Sequence, residues 1–279
     1  MEDMFGEAED PGEEPVRLES NGVMTFHNGT EEAMFCYIEN MKGTSSHSTK
    51  AVLDLIDSYC LSRHWMMHMG PEKRSILAEA VTTIPRWDEN NKPMYFLELG
   101  SYCGYSTAFL AQKLTDRGGS EKSIIVSVEP EPSAVGWTRR LVDVCGLQAR
   151  SIVLQTVVST LSSDETHQDF LPKLEALGLG EKPLFDFVFI DHDKSKYYTD
   201  LRLLLGQGLL KPGCVVVADN VLSFGQPLAD YLDFVRTSPR FSGSKLYTAS
   251  VEYSSCQEVP VSQAEEYFVD GVEVSTVSI

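Results

Sequence analysis

Two short stretches carry the chemistry most legibly. FVFIDHDKSKYY sets Asp191 and Lys194 directly after an apolar run, and VVVADNV sets Asp219 and Asn220 after another. Each run has the length of a buried strand. If the two strands are neighbours in a parallel sheet, two carboxylates and an amide converge on one point, with a lysine beside them. Hard oxygen ligands with room left for water and substrate suit Mg2+. A lysine next to that metal can be held neutral and act as a base. The chemistry is then deprotonation of a hydroxyl already seated on a metal. The plainer reading makes Asp191, Asp219 and Asn220 strand-end turn formers and Lys194 a surface ion-pair partner.

A second set lies upstream. FLELGSYCGYSTAFLAQKL reads as a strand, a glycine-bearing turn and a helix. Gly100 and Gly104 bracket a turn that passes close to a ligand, where a Cβ would intrude. The pattern is neither the dinucleotide G-x-G-x-x-G fingerprint nor a P-loop, so a smaller and less anionic ligand is expected. Ser106, at the helix start, can help bind a carboxylate. The next strand ends in VSVEP, which puts Glu129 where an acidic residue commonly takes the two hydroxyls of a ribose. A carboxylate site, a glycine turn and a ribose acid together suit S-adenosylmethionine, an adenosine joined to an amino acid. Packing glycines and a solvated Glu129 are the competing explanation.

The elements that must position these residues follow a regular order. From Met94, strands are expected at 94–99, 123–129, 151–157, 185–190 and 214–218. Helices fall between them, near 104–114, 132–145, 164–177 and 195–206. Such βαβ alternation predicts a doubly wound, mostly parallel sheet with ligands at the strand carboxyl ends. A helix near 226–236 leads to KLYTASVEY and VEVSTVSI, whose period-two patterning predicts two antiparallel strands at a sheet edge. The polar segment 254–268 between them reads as a loop. Upstream, helices are expected near 28–40, 50–61 and 75–84, and RHWMMHMGPEK reads as a break between the last two.

The chain of 279 residues has 23 basic against 41 acidic side chains, a net charge of −18. That balance argues against a nucleic-acid partner, because such affinity rests on Lys and Arg neutralising phosphates. Residues 1–17 are strongly acidic and poor in apolar surface, and read as a disordered leader rather than a secretory signal. The remainder, 18–279, reads as one domain. No stretch has the length and apolarity of a membrane span. None of the six cysteines forms a C-x-x-C pair, and the six histidines lack zinc-site spacing. Reduced thiols and a cytoplasmic location are expected.

From about residue 28 to the C-terminus, LELGSYCGYS, Glu129, DHDK, ADNV, VEY…DGVE and IDSYCLSRHWMMHMG together resemble the catechol O-methyltransferase family. The resemblance implies a class I methyltransferase fold, a Rossmann-like α/β architecture of seven strands in the order 3-2-1-4-5-7-6 with added N-terminal helices. It implies an S-adenosylmethionine- and Mg2+-dependent enzyme methylating one hydroxyl of a small-molecule catechol in catecholamine metabolism; no nucleic-acid partner, no membrane span and a monomer are expected. By position, Asp191, Asp219 and Asn220 would hold Mg2+, and Lys194 would be the general base. Glu252 would bind the neighbouring hydroxyl. Trp65, Met67 and Phe224 would join Lys194, Asn220 and Glu252 around the substrate. The cofactor would meet Met69, Glu98, Gly100, Tyr102, Gly104 and Tyr105. It would also meet Ser106, Glu129, Pro130, Ser159, Asp191 and His192. The family's tryptophan after the metal-motif histidine is Asp193 here, a usual wall proline is Phe224, and a usual asparagine is His68. These departures bear on adenine packing and pocket shape. The alternatives are an O-methyltransferase for another vicinal-diol phenol and a non-catalytic descendant that binds cofactor or protein.

Overall fold

The computed structural model describes residues 29–42, 48–85, 92–117, 120–158, 170–180, 183–222, 228–251 and 269–278. The leader and the segment 254–268 lie outside them, as do Ser159, Phe224 and Glu252.

Seven strands form one sheet: β1 (Tyr95–Leu99), β2 (Ile124–Glu129), β3 (Ser151–Gln155), β4 (Phe185–Ile190), β5 (Leu210–Ala218), β6 (Phe241–Ser250) and β7 (Val269–Val277). Their order is β3-β2-β1-β4-β5-β7-β6, the order that the resemblance implies. β1 to β5 run parallel, and β7 pairs antiparallel with both β5 and β6. The central strands are apolar without alternation because both sheet faces are covered. In β4 every residue is buried. Its Phe187 and Phe189 enter one core with α1 (Thr30–Lys42), α2 (Thr49–Ser62), α3 (Gly70–Thr83), α4 (Tyr105–Asp116) and α5 (Pro132–Val144). Its Val188 and Ile190 enter the other, with α6 (Phe170–Ala176), α7 (Tyr197–Gly206) and α8 (Ala229–Thr237). Successive strand side chains point to opposite faces, so one strand serves both cores.

Two boundaries differ from expectation in ways that matter. α3 begins at Gly70, five residues before the expected Ser75. Gly70, at φ +68°, turns the chain and Pro71 occupies the first turn, where its missing N–H costs nothing. Gly-Pro is therefore a helix start here, and the added turn contains Lys73. β5 begins at Leu210 rather than 214, and its pairing with β4 shifts register between Phe185 and Phe187. Pro212 and Gly213 make that irregularity, which suits a residue without a donor beside one at φ +77°.

The parallel register brings the carboxyl ends of β1, β2, β4 and β5 to one edge of the sheet. β7 then returns antiparallel beside β5, and Val221 N donates to Gly271 O at 2.9 Å. This contact sets Asp270 against the end of β5.

Candidate active site

The strand ends open into a cavity of about 600 Å³. Its wall comes from Trp65, Met67, His68 and Met69 ahead of α3, from Gly100–Tyr102 after β1, and from Tyr105 and Ser106 of α4. Glu129–Glu131 and Ala134 follow β2, Asp191–Lys194 follow β4, and Asn220 follows β5. Most of the positions expected from sequence are thus brought together. Glu98, Gly104 and Asp219 lie behind the wall rather than in it.

Gly100 sits at φ +89°, and a Cβ there would meet Asp191 O at 2.3 Å. The glycine lets the β1 turn press against the tip of β4, so the turn after β1 and the loop after β4 share one junction. Gly104, at φ +86°, has a different use: its missing Cβ makes room for Thr138 of α5, 2.9 Å from where it would stand. That is helix packing, not ligand approach. Glu129 accepts from Ser101 N at 3.0 Å, Tyr102 N at 3.1 Å and Glu131 N at 3.1 Å. It fixes the glycine turn as well as facing the cavity.

Tyr102 and Tyr105 present rings rather than hydroxyls to the cavity. Tyr102 donates to Glu31 Oε1 at 2.9 Å, and Tyr105 to Asp57 Oδ1 at 2.8 Å. Burial, with the neighbouring acids, raises both phenols well above their ordinary value and keeps them as donors. His68 lies against both rings, with centroids 5.3 and 5.4 Å away. Burial lowers it to about 3, so it is a neutral aromatic wall.

Glu98 is fully buried and accepts from Thr107 Oγ1 and from Ser127 Oγ, the latter at 2.5 Å. Burial raises it to about 7, against the pull of hydrogen bonds from Ser106, Ser127 and Thr107. Its folded value lies above the unfolded one, so the stability it contributes is complete below pH 4.5 and is lost as pH rises towards about 7. Glu98→Gln does not titrate. Relative to that variant, the wild type is expected to lose on the order of 3 kcal/mol across this window. Thermal melts of both proteins from pH 5 to 8 check this, and parallel curves would refute it.

The loop after β4 carries the densest polar chemistry. Asp193 caps a 3-10 turn, Lys194–Lys196, by accepting from Ser195 N at 3.0 Å and Ser195 Oγ at 2.8 Å. Burial opposes its ionisation, but these bonds and the charges of His192 and Lys196 hold it below the usual carboxylate range. The aspartate therefore has a local role: it shapes the turn that begins at Lys194. His192 stacks on Tyr197 at 5.3 Å with 8° between planes, and its Nε2 lies 2.8 Å from Asp200 Oδ2.

Lys194 Nζ donates to Asp191 Oδ1 at 2.9 Å, Asn220 Oδ1 at 2.9 Å and Tyr197 Oη at 2.8 Å. One cation is therefore shared by the oxygens that end β4 and β5. Asn220 holds φ +55°, the left-handed region that a non-glycine residue occupies at a cost. Asp219 is buried, and its Oδ1 accepts from Asn220 N at 2.7 Å and pairs with Lys73 Nζ at 2.8 Å. Lys73 also pairs with Asp270 Oδ2 at 2.5 Å, and Asp270 Oδ2 accepts from Asn220 Nδ2 at 2.8 Å. Sequence reasoning missed Lys73 and Asp270. Their signals were present but faint: a lysine at helical spacing from the buried Leu77 and Ala80, and an acid inside an apolar strand.

Among the described residues no group of three or more His, Cys, Asp or Glu side chains is arranged to hold a metal. The set that fits is two aspartates and an asparagine amide, all hard oxygen donors. Asp191 and Asn220 already converge on a positive charge, with Asp219 adjoining in the chain.

The model of a methyltransferase domain matches residues 97–221, the span from β1 to the end of β5. Catechol O-methyltransferase B of Danio rerio is 32% identical over 223 residues, covering 78% of this chain and 74% of that protein. The Sus scrofa catechol O-methyltransferase is 35% identical over 188 residues, covering 67% of this chain and 87% of that protein.

The chain belongs to the catechol O-methyltransferase family.

Within it, the protein is an S-adenosylmethionine-dependent O-methyltransferase. The Bos taurus member is 35% identical over 205 residues, and the match spans 74% of this chain and 66% of that protein. An O-methyltransferase from Bacillus cereus, solved in complex with SAH, shares the fold at 20% identity and a TM-score of 0.53, covering 89% of this chain and 100% of that one. A transmembrane O-methyltransferase of Propithecus coquereli is 28% identical over 230 residues, covering 82% of this chain and 74% of that protein. Among the described residues of this family member no helix is long and apolar enough to cross a membrane. Among the described residues, Cys36, Cys60, Cys103, Cys145 and Cys214 form no disulfide.

Proposed function

We propose that this enzyme transfers the methyl group of S-adenosylmethionine to one hydroxyl of a catechol, with Mg2+ held by Asp191, Asp219 and Asn220. The observation that carries the reading is the Lys194 ammonium shared between Asp191 Oδ1 and Asn220 Oδ1, each 2.9 Å from its Nζ, in the wall of the cavity. Bound at these oxygens, Mg2+ supplies a Lewis acid that favours the ionised form of a phenol.

The chain's own residues do the rest. As the free amine, Lys194 Nζ takes the proton of the hydroxyl that receives the methyl. That oxygen then attacks the sulfonium methyl carbon: the O–C bond forms as the S–C bond breaks, leaving S-adenosylhomocysteine and a methyl ether. Trp65, Met67 and Met69 wall the cavity and keep water from the electrophile. The glycine turn at Gly100, with Glu129, Pro130, Ser106 and the rings of Tyr102 and Tyr105, receives the cofactor. His192 and Asp193 line the side of the cavity next to Lys194. Phe224, Glu252 and Ser159 complete the substrate and cofactor sets in this reading. Orienting two bound reactants in line can supply about 7–11 kcal/mol of the barrier, more than one proton transfer usually gives.

The substrate class is tested by labelled methyl transfer to paired phenols. Catechol and its substituted relatives should be methylated, and phenol, with one oxygen, should not. Equal rates on phenol and catechol would remove the reason for a two-oxygen substrate.

A further inference from the structure

We infer that Asp270 is a positioning residue that fixes which end of the Asn220 amide faces the cavity, with Lys73 locking Asp270 and Asp219 in place. The inference rests on the metal-site reading above and deepens it.

A side-chain amide has a donating and an accepting end of nearly equal shape, so its direction is set by its partners. Asp270 offers Asn220 only acceptor oxygens. Its Oδ2 lies 2.8 Å from Asn220 Nδ2, so the NH2 must turn towards β7 and Oδ1 towards Lys194. The other amide direction would aim two N–H donors at the cation position. Asp270 is itself held rigidly. Its Oδ1 accepts from Gly271 N at 2.7 Å and Leu222 N at 3.3 Å, and its Oδ2 pairs with Lys73 Nζ at 2.5 Å. Lys73 reaches on to Asp219 Oδ1 at 2.8 Å, with both side chains at most 1% exposed. One buried ammonium thus ties together both carboxylates that flank Asn220, across 197 residues of chain between Lys73 and Asp270. Outer partners of this kind typically change metal affinity about 10- to 100-fold when removed.

Exchanging donor and acceptor tests the assignment. Mn2+ affinity is read from the electron paramagnetic resonance of the free ion, with cofactor affinity as the check on folding. Asn220→Asp places a carboxylate against Asp270 and should weaken Mn2+ binding about 10- to 100-fold, although it adds a charged ligand. Asp270→Asn alone should weaken it over the same range. The double variant Asn220→Asp/Asp270→Asn restores one donor facing one acceptor at position 220 and should recover part of the lost affinity; recovery stays partial because the new amide NH2 at position 270 also faces Lys73 Nζ. Tighter Mn2+ binding by Asn220→Asp alone would overturn the assignment, as would a double variant no better than Asn220→Asp alone. The Asn220→Asp arm stands even if Asp270→Asn does not fold. A wild type that binds no Mn2+ would instead sink the metal reading itself, and this assignment with it.

Discussion

Lys194→Met is expected to bind a divalent cation at least as tightly as the wild type while losing methyl transfer by about 10²- to 10⁴-fold. The two halves of this outcome have separate causes. In the structure the Lys194 ammonium donates to Asp191 Oδ1 and Asn220 Oδ1 at 2.9 Å each, so it competes for the oxygens a metal would use. Removing it relieves that competition. In the proposed mechanism the same change removes the group that accepts the phenol proton. Its side chain is 19% exposed, in the cavity wall rather than the core, so methionine can occupy the space with little effect on folding. Single-turnover transfer and Mn2+ titration on one preparation check both halves. Full turnover in the variant would assign the proton to another group, and lost metal binding would make Lys194 a structural tie.

Lys73→Met is expected to cost about 3–5 kcal/mol of folding stability. Lys73 lies in the extra first turn of α3 with its side chain 0% exposed, between Asp219 at 2.8 Å and Asp270 at 2.5 Å. Without it two buried carboxylates face each other with no ammonium between them, and removing one partner of a buried ion pair is far more damaging than never having built it. A loss of this size lowers the melting temperature by on the order of 10 °C in a domain of this length. Added Mg2+ should return part of the loss, because an ion that binds the folded state at Asp219 stabilises it by mass action. Lys50→Met is the contrast. Lys50 makes an ion pair of 2.5 Å with Asp54, but its side chain is 79% exposed, and solvent leaves such pairs little net worth. Melts of both variants, with and without Mg2+, decide the matter. Equal melting temperatures would show that the buried network carries no load.

Much of this architecture is legible in the chain because its signals are local. The strands β1 to β4 are short apolar runs closed by turn residues, and the period-two patterning of β6 and β7 identifies the antiparallel edge. The β5 start was misplaced because Pro212 and Gly213 usually end a strand, and only the irregular pairing with β4 accommodates them. The same kind of error hid Lys73: Gly70-Pro71 looks like a break until the Gly70 φ of +68° makes it a helix entrance. Asp270 was hard to read for another reason. Its partner Asn220 lies 50 residues away in sequence, and nothing local in FVDGVE says which face of β7 meets the end of β5. Glu98 and Gly104 stand in a motif that reads as cofactor-binding, yet the Glu98 side chain turns inward to Thr107 and Ser127, and the missing Cβ of Gly104 leaves room for Thr138. Residue type and spacing identify which strand ends meet. They do not say which atoms at those ends face the cavity and which face the core.

The most direct test of the whole account is labelled methyl transfer from S-adenosylmethionine to catechol, before and after chelation of divalent metal. Transfer should stop with EDTA and return when Mg2+ is restored, and Asp191→Ala should not be rescued by the added ion. Unchanged transfer in chelator, by a preparation shown to contain no divalent metal, would contradict it.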